Sequence, residues 1–383
     1  MLFRFLNNWI YPSMQFAALF CITVCGFSQL AVGQTQSSVT DPAYALQGEY
    51  QKGEQGIQIA ALGEDAFRIS VFNGGLPGAG WNRTAIQVLE MSLDDVEDFL
   101  KESDVKRVTR SSPTLDAAAP GAAVVLFDGS ESSLKKHWAD GAKLAEGKYL
   151  QAGATGLDKF QSYRLHLEFR TPWMPKATGQ GRGNSGVYHQ GCYETQVLDS
   201  FGFDNEGNTC GAIYGVKPAD FNAGLPPMVW QTYDVEFTAP AWNAAGQKTS
   251  NARLTVWLNG MLIHRDTEAP GPTTAAPLKE SVDGGPIYLQ DHGNPVQYRN
   301  IWVLPLDASA NSLRPRVPSF ERFATVVSSA NEVAEAGRLL IGELACQNCH
   351  KIPSVDGLVT AKEAPLLASA GSRIRSSYFS ELL

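Results

Sequence analysis

The feature that most constrains the fold is the punctuation of residues 122–306. Short runs such as "YRLHLEFR", "SGVYHQ", "YETQVLDS", "QTYDVEFTA", "ARLTVWLNGMLIHR", "GPIYLQDH" and "VQYRNIWV" alternate apolar and polar residues, or nearly so. Gly, Pro and Asn separate them. Alternation sends successive side chains to opposite faces of a strand. No long amphipathic helical pattern interrupts the series, and about seven to ten strands at this spacing imply a β-sandwich or jelly roll. "WLNG" marks a hairpin, because Asn-Gly suits the tight turn between paired strands.

The flanks differ in character. Residues 1–33 open with Arg4, continue through an apolar run from Met14 to Phe27, and end in Ala31-Val32-Gly33 before Gln34. That is the layout of a secretory signal peptide. The apolar run is short for a bilayer span, which favours cleavage over a retained anchor. Cys21 and Cys25 have no small residue before them, unlike a lipoprotein anchor. The expected location is periplasmic or extracellular, with no stable membrane span after cleavage.

Residues 41–90 read as a small β module, with "IQIAAL" and "FRISVF" as strands and "NGGLPGAGWN" as a turn-rich loop. Residues 91–121 hold a short helix, "SLDDVEDFLK" with Ser92 as N-cap, and then a Pro/Ala/Ser-rich linker. The main domain spans 122–307, a second linker spans 308–330, and helical spacing returns from Asn331 to the C-terminus at 383.

Composition removes several function classes. The net charge of -8 argues against a nucleic-acid or anionic-membrane surface, since both need clustered Lys and Arg. There is no GxSxG, no GxxxxGK[ST], and no GxGxxG after a strand. Outside the leader, Cys192 and Cys210 could form a disulfide or stand as two thiols.

Strand parity nominates a site. In "YETQVLDS", Glu194 and Gln196 share one face, with Tyr193, Thr195 and Val197 on the other. Gln290 and His292 share a face, with Asp291 opposite or in the turn. Gln297 and Arg299 share a face, with Tyr298 and Asn300 on the other. Tyr188 and His189 alternate, so one of them faces the groove. His137, His166 and His264 read as structural or exposed. "GNSGVYHQGCYETQVLD" and "LQDHGNPVQYRN" are dense in His, Gln, Asn, Tyr and Gly. Carboxylates, amides, a guanidinium and aromatics together suit sugar hydroxyls and ring faces.

On "LFDGS", "GNSGVYHQGCYETQVLDS", "GAIYG", "WQTYDVEF", "WLNG" and "GPIYLQDHGNPVQYRNIWV", which follow one another over the main domain, the chain resembles the 3-keto-disaccharide hydrolase family. The resemblance implies a mainly β, concanavalin A-like jelly roll acting on a carbohydrate, a glycoside oxidised to a ketone at the third sugar carbon. It implies proton abstraction beside the ketone, elimination of the glycosidic oxygen and hydration, rather than the acid–nucleophile pair of common glycosidases. The family motifs map onto Glu194, Gln196 and Asp199, and onto Gln290, Asp291, His292, Arg299 and Asn300. His292 or Glu194 is the expected base, with Asp291 beside them in the catalytic group. Arg299 could steady the enolate oxygen. Asn184, Tyr188, Gln196, Asp199, Gln290 and Asn300 are the expected substrate contacts. A divalent cation held by Glu194, Asp199 or His292 is a further option. The rival readings are a non-catalytic glycan-binding jelly roll and an electron carrier.

The electron-carrier reading rests on the tail, where "CQNCH" places Cys346, Cys349 and His350 in a c-type haem motif. Residues 331–383 resemble part of a cytochrome c, and a redox partner would follow. No Met follows Met261 and no His follows His350, so a distal ligand is missing. A truncated domain, a five-coordinate haem and a remnant that no longer binds haem all fit.

Overall fold

The computed structural model describes residues 39–102, 104–306 and Gly337. The expected signal peptide and Cys346, Cys349 and His350 lie outside the described residues.

An N-terminal sheet comes first. Helix α1 (Pro42–Leu46) precedes strands β1 (Gly48–Lys52), β2 (Gln55–Gly63), β3 (Ala66–Asn73) and β4 (Gln87–Ser92). Helix α2 (Leu93–Leu100) and strand β5 (Val105–Val108) follow. Ser92 caps α2 by accepting from the Asp95 amide, and Asp94 and Asp95 sit in its first turn, where they favour the helix dipole. The sheet is antiparallel in the order β4-β3-β2-β1-β5, so it continues past the helix to residue 108. Tyr50, Ile57, Ile59, Phe67 and Ile69 form its core with Val96 and Phe99 of α2.

The second body is a jelly-roll sandwich. Its strands are β6 (Val124–Phe127), β7 (Leu144–Ala145), β8 (Tyr149–Gln151), β9 (Ala154–Thr155), β10 (Tyr163–Arg170), β11 (Ser185–His189) and β12 (Tyr193–Val197). They continue as β13 (Gln231–Thr238), β14 (Ala241–Trp242), β15 (Lys248–Ser250), β16 (Ala252–Leu258), β17 (Met261–Ala269), β18 (Tyr288–Leu289) and β19 (Gln297–Pro305). Helix α3 (Glu131–His137) lies between β6 and β7. One sheet runs β17-β16-β13-β10-β19-β8-β7, with β6 also pairing β19. The facing sheet runs β12-β11-β18-β9. The core between them takes Leu165, Leu167 and Phe169 from β10, and Tyr233, Val235 and Phe237 from β13. Val187, Tyr193, Val197 and Leu289 come from the smaller sheet. The period-two pattern of the sequence is this division between core and outer faces.

Cys192 and Cys210 are separate buried thiols, against the Leu278 carbonyl and the Tyr233 hydroxyl respectively. Among the described residues no helix is long and apolar enough to cross a membrane.

Candidate active site

The outer face of the smaller sheet is polar and largely buried. Antiparallel pairing of β11 and β12 sets Tyr188 opposite Glu194 and Gly186 opposite Gln196. Parity sends Tyr193, Thr195 and Val197 inward and leaves Glu194 and Gln196 outward. Strand β18 pairs with β11 on its other edge, Tyr288 opposite Tyr188. Asn184, Tyr188, Glu194 and Gln196 form a buried floor. Gln180, Asn208, Tyr214, Tyr288 and Gln290 form a half-buried rim.

Glu194 is the centre of this face. The Tyr188 hydroxyl lies 2.8 Å from its Oε2 and 3.0 Å from the Thr274 carbonyl, so one proton serves two acceptors. Gln290 Nε2 donates to that hydroxyl at 3.2 Å. The Gln196 amide, oriented by its partners, places nitrogen 2.9 Å from Glu194 Oε1 and 2.9 Å from the Ser185 carbonyl. Gly186 leaves the space that the carboxylate fills, since a Cβ there would come within 2.1 Å of Oε1. Asn184 donates to the Gln180 carbonyl at 2.7 Å, while its own Oδ1 is buried with no partner.

Burial pushes the Glu194 carboxyl up to about 7, and the Tyr188 hydrogen bond only partly opposes it. No second carboxylate is among the causes. Tyr188 is raised by its own burial and then by the Glu194 charge, so it stays a neutral donor.

Glu194, Gln196, Tyr188, Gln290 and Asn184 are thus brought together as expected from the sequence. Asp199 is not free for substrate. Its Oδ2 accepts from Arg182 Nε at 2.8 Å in a buried pair. Asp291 and His292 lie on an exposed turn after β18, where Asp291 Oδ1 accepts from the Gly293 amide. Arg299 and Asn300 require a correction. Strand β19 belongs to the larger sheet, across the core from Glu194. Arg299 donates to Glu168 at 2.6 Å and to Asp116 at 2.9 Å. Asn300 donates to Glu168 at 2.9 Å. Of the neighbouring pair, Tyr188 faces the site, while His189 is in the core between Tyr163 and Thr195.

A cation site does not assemble from the expected donors. Among the described residues no three His, Cys, Asp or Glu side chains gather as ligands, and Asp199 is committed to Arg182.

Gln180, Tyr214, Tyr288, Gly186 and Thr273, whose hydroxyl oxygen accepts from the Glu194 amide at 3.0 Å, complete the site without having been singled out from sequence. Gly186 alone left a legible signal, because a glycine inside a strand often marks a close approach. Tyr288 comes from the two-residue strand β18, and the others reach the site from between strands.

The comparisons with known proteins concern the sandwich. Residues 122–304 match the model of the 3-keto-alpha-glucoside-1,2-lyase-like domain. A solved structure from Parabacteroides distasonis, described as a "putative glycosyl hydrolase", is 30% identical, with 52% of this chain and 93% of that chain covered and a TM-score of 0.45. Another protein of that description and organism is 16% identical, covers 49% and 94%, and has a TM-score of 0.36. The alginate lyase vAL-1 from Chlorella virus is 11% identical, with 48% and 100% covered and a TM-score of 0.28. No curated protein matches the chain.

Proposed function

Because the chain belongs, through residues 122–304, to the 3-keto-alpha-glucoside-1,2-lyase-like family, we propose that it cleaves glycosides carrying a ketone at C3, with Glu194 as the base. The observation that carries this reading is a buried carboxyl brought to about 7 with a neutral phenol at its side. A base works best when its pKa lies near the working pH. About half of such carboxyls are ionised at neutral pH.

The C3 ketone acidifies the C2–H bond. Glu194 takes that proton, and the electron pair delocalises onto the C3 oxygen as an enolate. The pair then returns to form C1=C2 while the C1–O bond breaks, and the glycosidic oxygen leaves with a proton. Tyr188 is placed to supply that proton and to be reprotonated by Glu194. Water then adds at C1 and a proton returns to C2, so the sum is hydrolysis. The amides of Gln196 and Gln290 are donors for the enolate oxygen. The unpartnered Asn184 Oδ1 is an acceptor for a sugar hydroxyl. Half-buried Tyr214 and Tyr288 offer ring faces to the sugar. The expected signal peptide places this activity in the periplasm or outside the cell.

The test incubates the mature protein with a 3-keto-glucoside and a 3-keto-trehalose and measures released sugar. Glu194→Gln should lower kcat about 10²- to 10⁴-fold with folding intact. The wild-type rate should climb with pH through about 7 as Glu194 ionises. An active Glu194→Gln variant refutes Glu194 as base. Affinity for the sugars without turnover supports the glycan-binding reading instead.

A further inference from the structure

Two long loops wall the Glu194 site, and both are held from outside the sandwich. The β10–β11 loop supplies Gln180 and Asn184, and the β12–β13 loop supplies Asn208 and Tyr214. Irregular loops of this length are ordinarily mobile unless something fixes them. Here the N-terminal sheet grips each one.

The first loop is held near its start, by the α1 region and by β2. Trp173 donates to Asp41 at 3.0 Å and meets Tyr44 edge-on, with ring centroids 5.1 Å apart. Gly63, at φ +81°, lies so close to Lys176 that a Cβ would come within 2.7 Å of Cγ. The second loop is held at Gly202. Its carbonyl accepts from Arg68 Nε at 3.0 Å and from Ser70 Oγ at 2.8 Å. Arg68 and Ser70 are two apart on β3, so both point to one face. Arg68 also pairs with Asp204 at 2.9 Å, and Ala60 of β2 lies directly beneath Gly202.

Arg182 joins the three parts. Its Nη1 donates to the Ala61 carbonyl at 2.9 Å and to Pro175 at 3.1 Å. Its Nε holds Asp199 at 2.8 Å, and its carbonyl accepts from the Asp199 amide at 3.1 Å. A bulge in β2 between Ala61 and Gly63 shifts the ladder beside that carbonyl. Asp199 lies three residues after Gln196, and Arg182 two residues before Asn184, so the junction abuts the site along both loops.

We propose that the N-terminal sheet is a clamp for the active site, with Arg182, Arg68 and Ser70 as positioning residues that fix the spacing of the two loops over Glu194. The clamp rests on Glu194 being the base only for its effect on catalysis; its effect on the carboxyl is independent of that role. By holding the loops closed it keeps water from the carboxyl. The titratable groups facing that pocket are Tyr188 from β11, Tyr288 from β18 and Tyr214 from the second loop, while Tyr298 of β19 lies behind the sheet in the core, on Ser185.

The test compares wild type with Arg68→Ala/Ser70→Ala, which removes the side-chain bonds to Gly202. Carboxyl ¹³C NMR follows the Glu194 titration, and sugar release from a 3-keto-glucoside follows kcat/KM. The expected result is a titration lowered by about one unit, toward the ordinary glutamate value, with kcat/KM reduced about tenfold. Ser70→Ala alone, which removes one bond, gives a smaller shift of the same sign if the double variant does not fold. Arg253→Ala, on an exposed ion pair of β16 and β17, leaves both readouts unchanged. A lower Tm with the Glu194 titration unmoved overturns the clamp. An active Glu194→Gln variant overturns the base but leaves the titration test standing.

Discussion

Replacing Gly186 by Ala tests the site without deleting any group of it. Gly186 does not occupy the left-handed region, so alanine meets no backbone strain there. The cost comes from contact alone. The new Cβ would meet Glu194 Oε1 at 2.1 Å, Cδ at 2.8 Å and Cγ at 2.9 Å. Ordinary contact is roughly 3.5 Å, so the carboxylate must retreat by about 1.4 Å. A retreat of that size stretches the 2.8 Å bond from Tyr188 beyond hydrogen-bonding distance. Misplacement by about 1 Å costs on the order of 10²-fold in rate. Overpacking costs about 1–3 kcal/mol, equivalent to a Tm lowered by roughly 2–12 °C in a body of this size. Sugar release from a 3-keto-glucoside gives kcat/KM, and thermal unfolding gives Tm. Gly121→Ala is the control, because a Cβ there meets nothing within 4 Å. If Gly186→Ala retains kcat/KM within about threefold, Glu194 is not the group on which the rate depends.

Two further outcomes concern the larger sheet. His166 is buried, which opposes its charge, yet hydrogen bonds to Asp234 and Glu168 outweigh burial and raise it to about 9. The folded state therefore holds this proton more tightly than the unfolded chain. Its stabilisation is full below about 6.5 and fades as pH rises through about 9, so denaturant titrations should show wild type losing more stability than His166→Gln over that window; equal losses refute the pairing. Arg299→Met leaves the buried Glu168 without its guanidinium partner, so stability should fall by about 3 kcal/mol while kcat changes only a few-fold, and a collapse of kcat at unchanged Tm would place Arg299 at the chemistry.

Strand parity grouped residues within a strand and left the grouping between strands open. It separated Glu194 and Gln196 from the core residues of β12, because a five-residue strand without a bulge keeps its period. It failed at Asn300, expected on the face of Tyr298. Asn300 adopts φ +44°, and its amide turns to Glu168 beside Arg299. The register also shifts between His166 and Glu168 where β10 meets β19. A greater loss came from topology. Alternation says which residues share a face of one strand, but not which sheet a strand joins. Arg299 and Glu194 have equally polar faces in the sequence and lie on opposite sides of the core. The loop contributions of Gln180, Tyr214 and Thr273 carry no period at all, so packing alone reveals them.

Surroundings, more than residue type, set which buried groups titrate near neutrality. Histidine's unperturbed pKa makes it the natural choice at neutral pH. Yet burial drives His189 down to about 3 and His264 to about 4, while the carboxylates beside His166 lift it to about 9. These three histidines are locked in one protonation state near neutrality. The group moved toward neutrality is a glutamate, and burial moves it there. Glu194 has as its surroundings Tyr188, the glycine that makes room for it, and two loops that contact a separate sheet. A glutamate on the exposed face of an ordinary strand would share its sequence pattern and lack its pKa. The difference lies in desolvation, and under the proposed clamp that desolvation depends on contacts more than a hundred residues apart in the chain, such as Arg182 with Ala61 and Arg68 with Gly202.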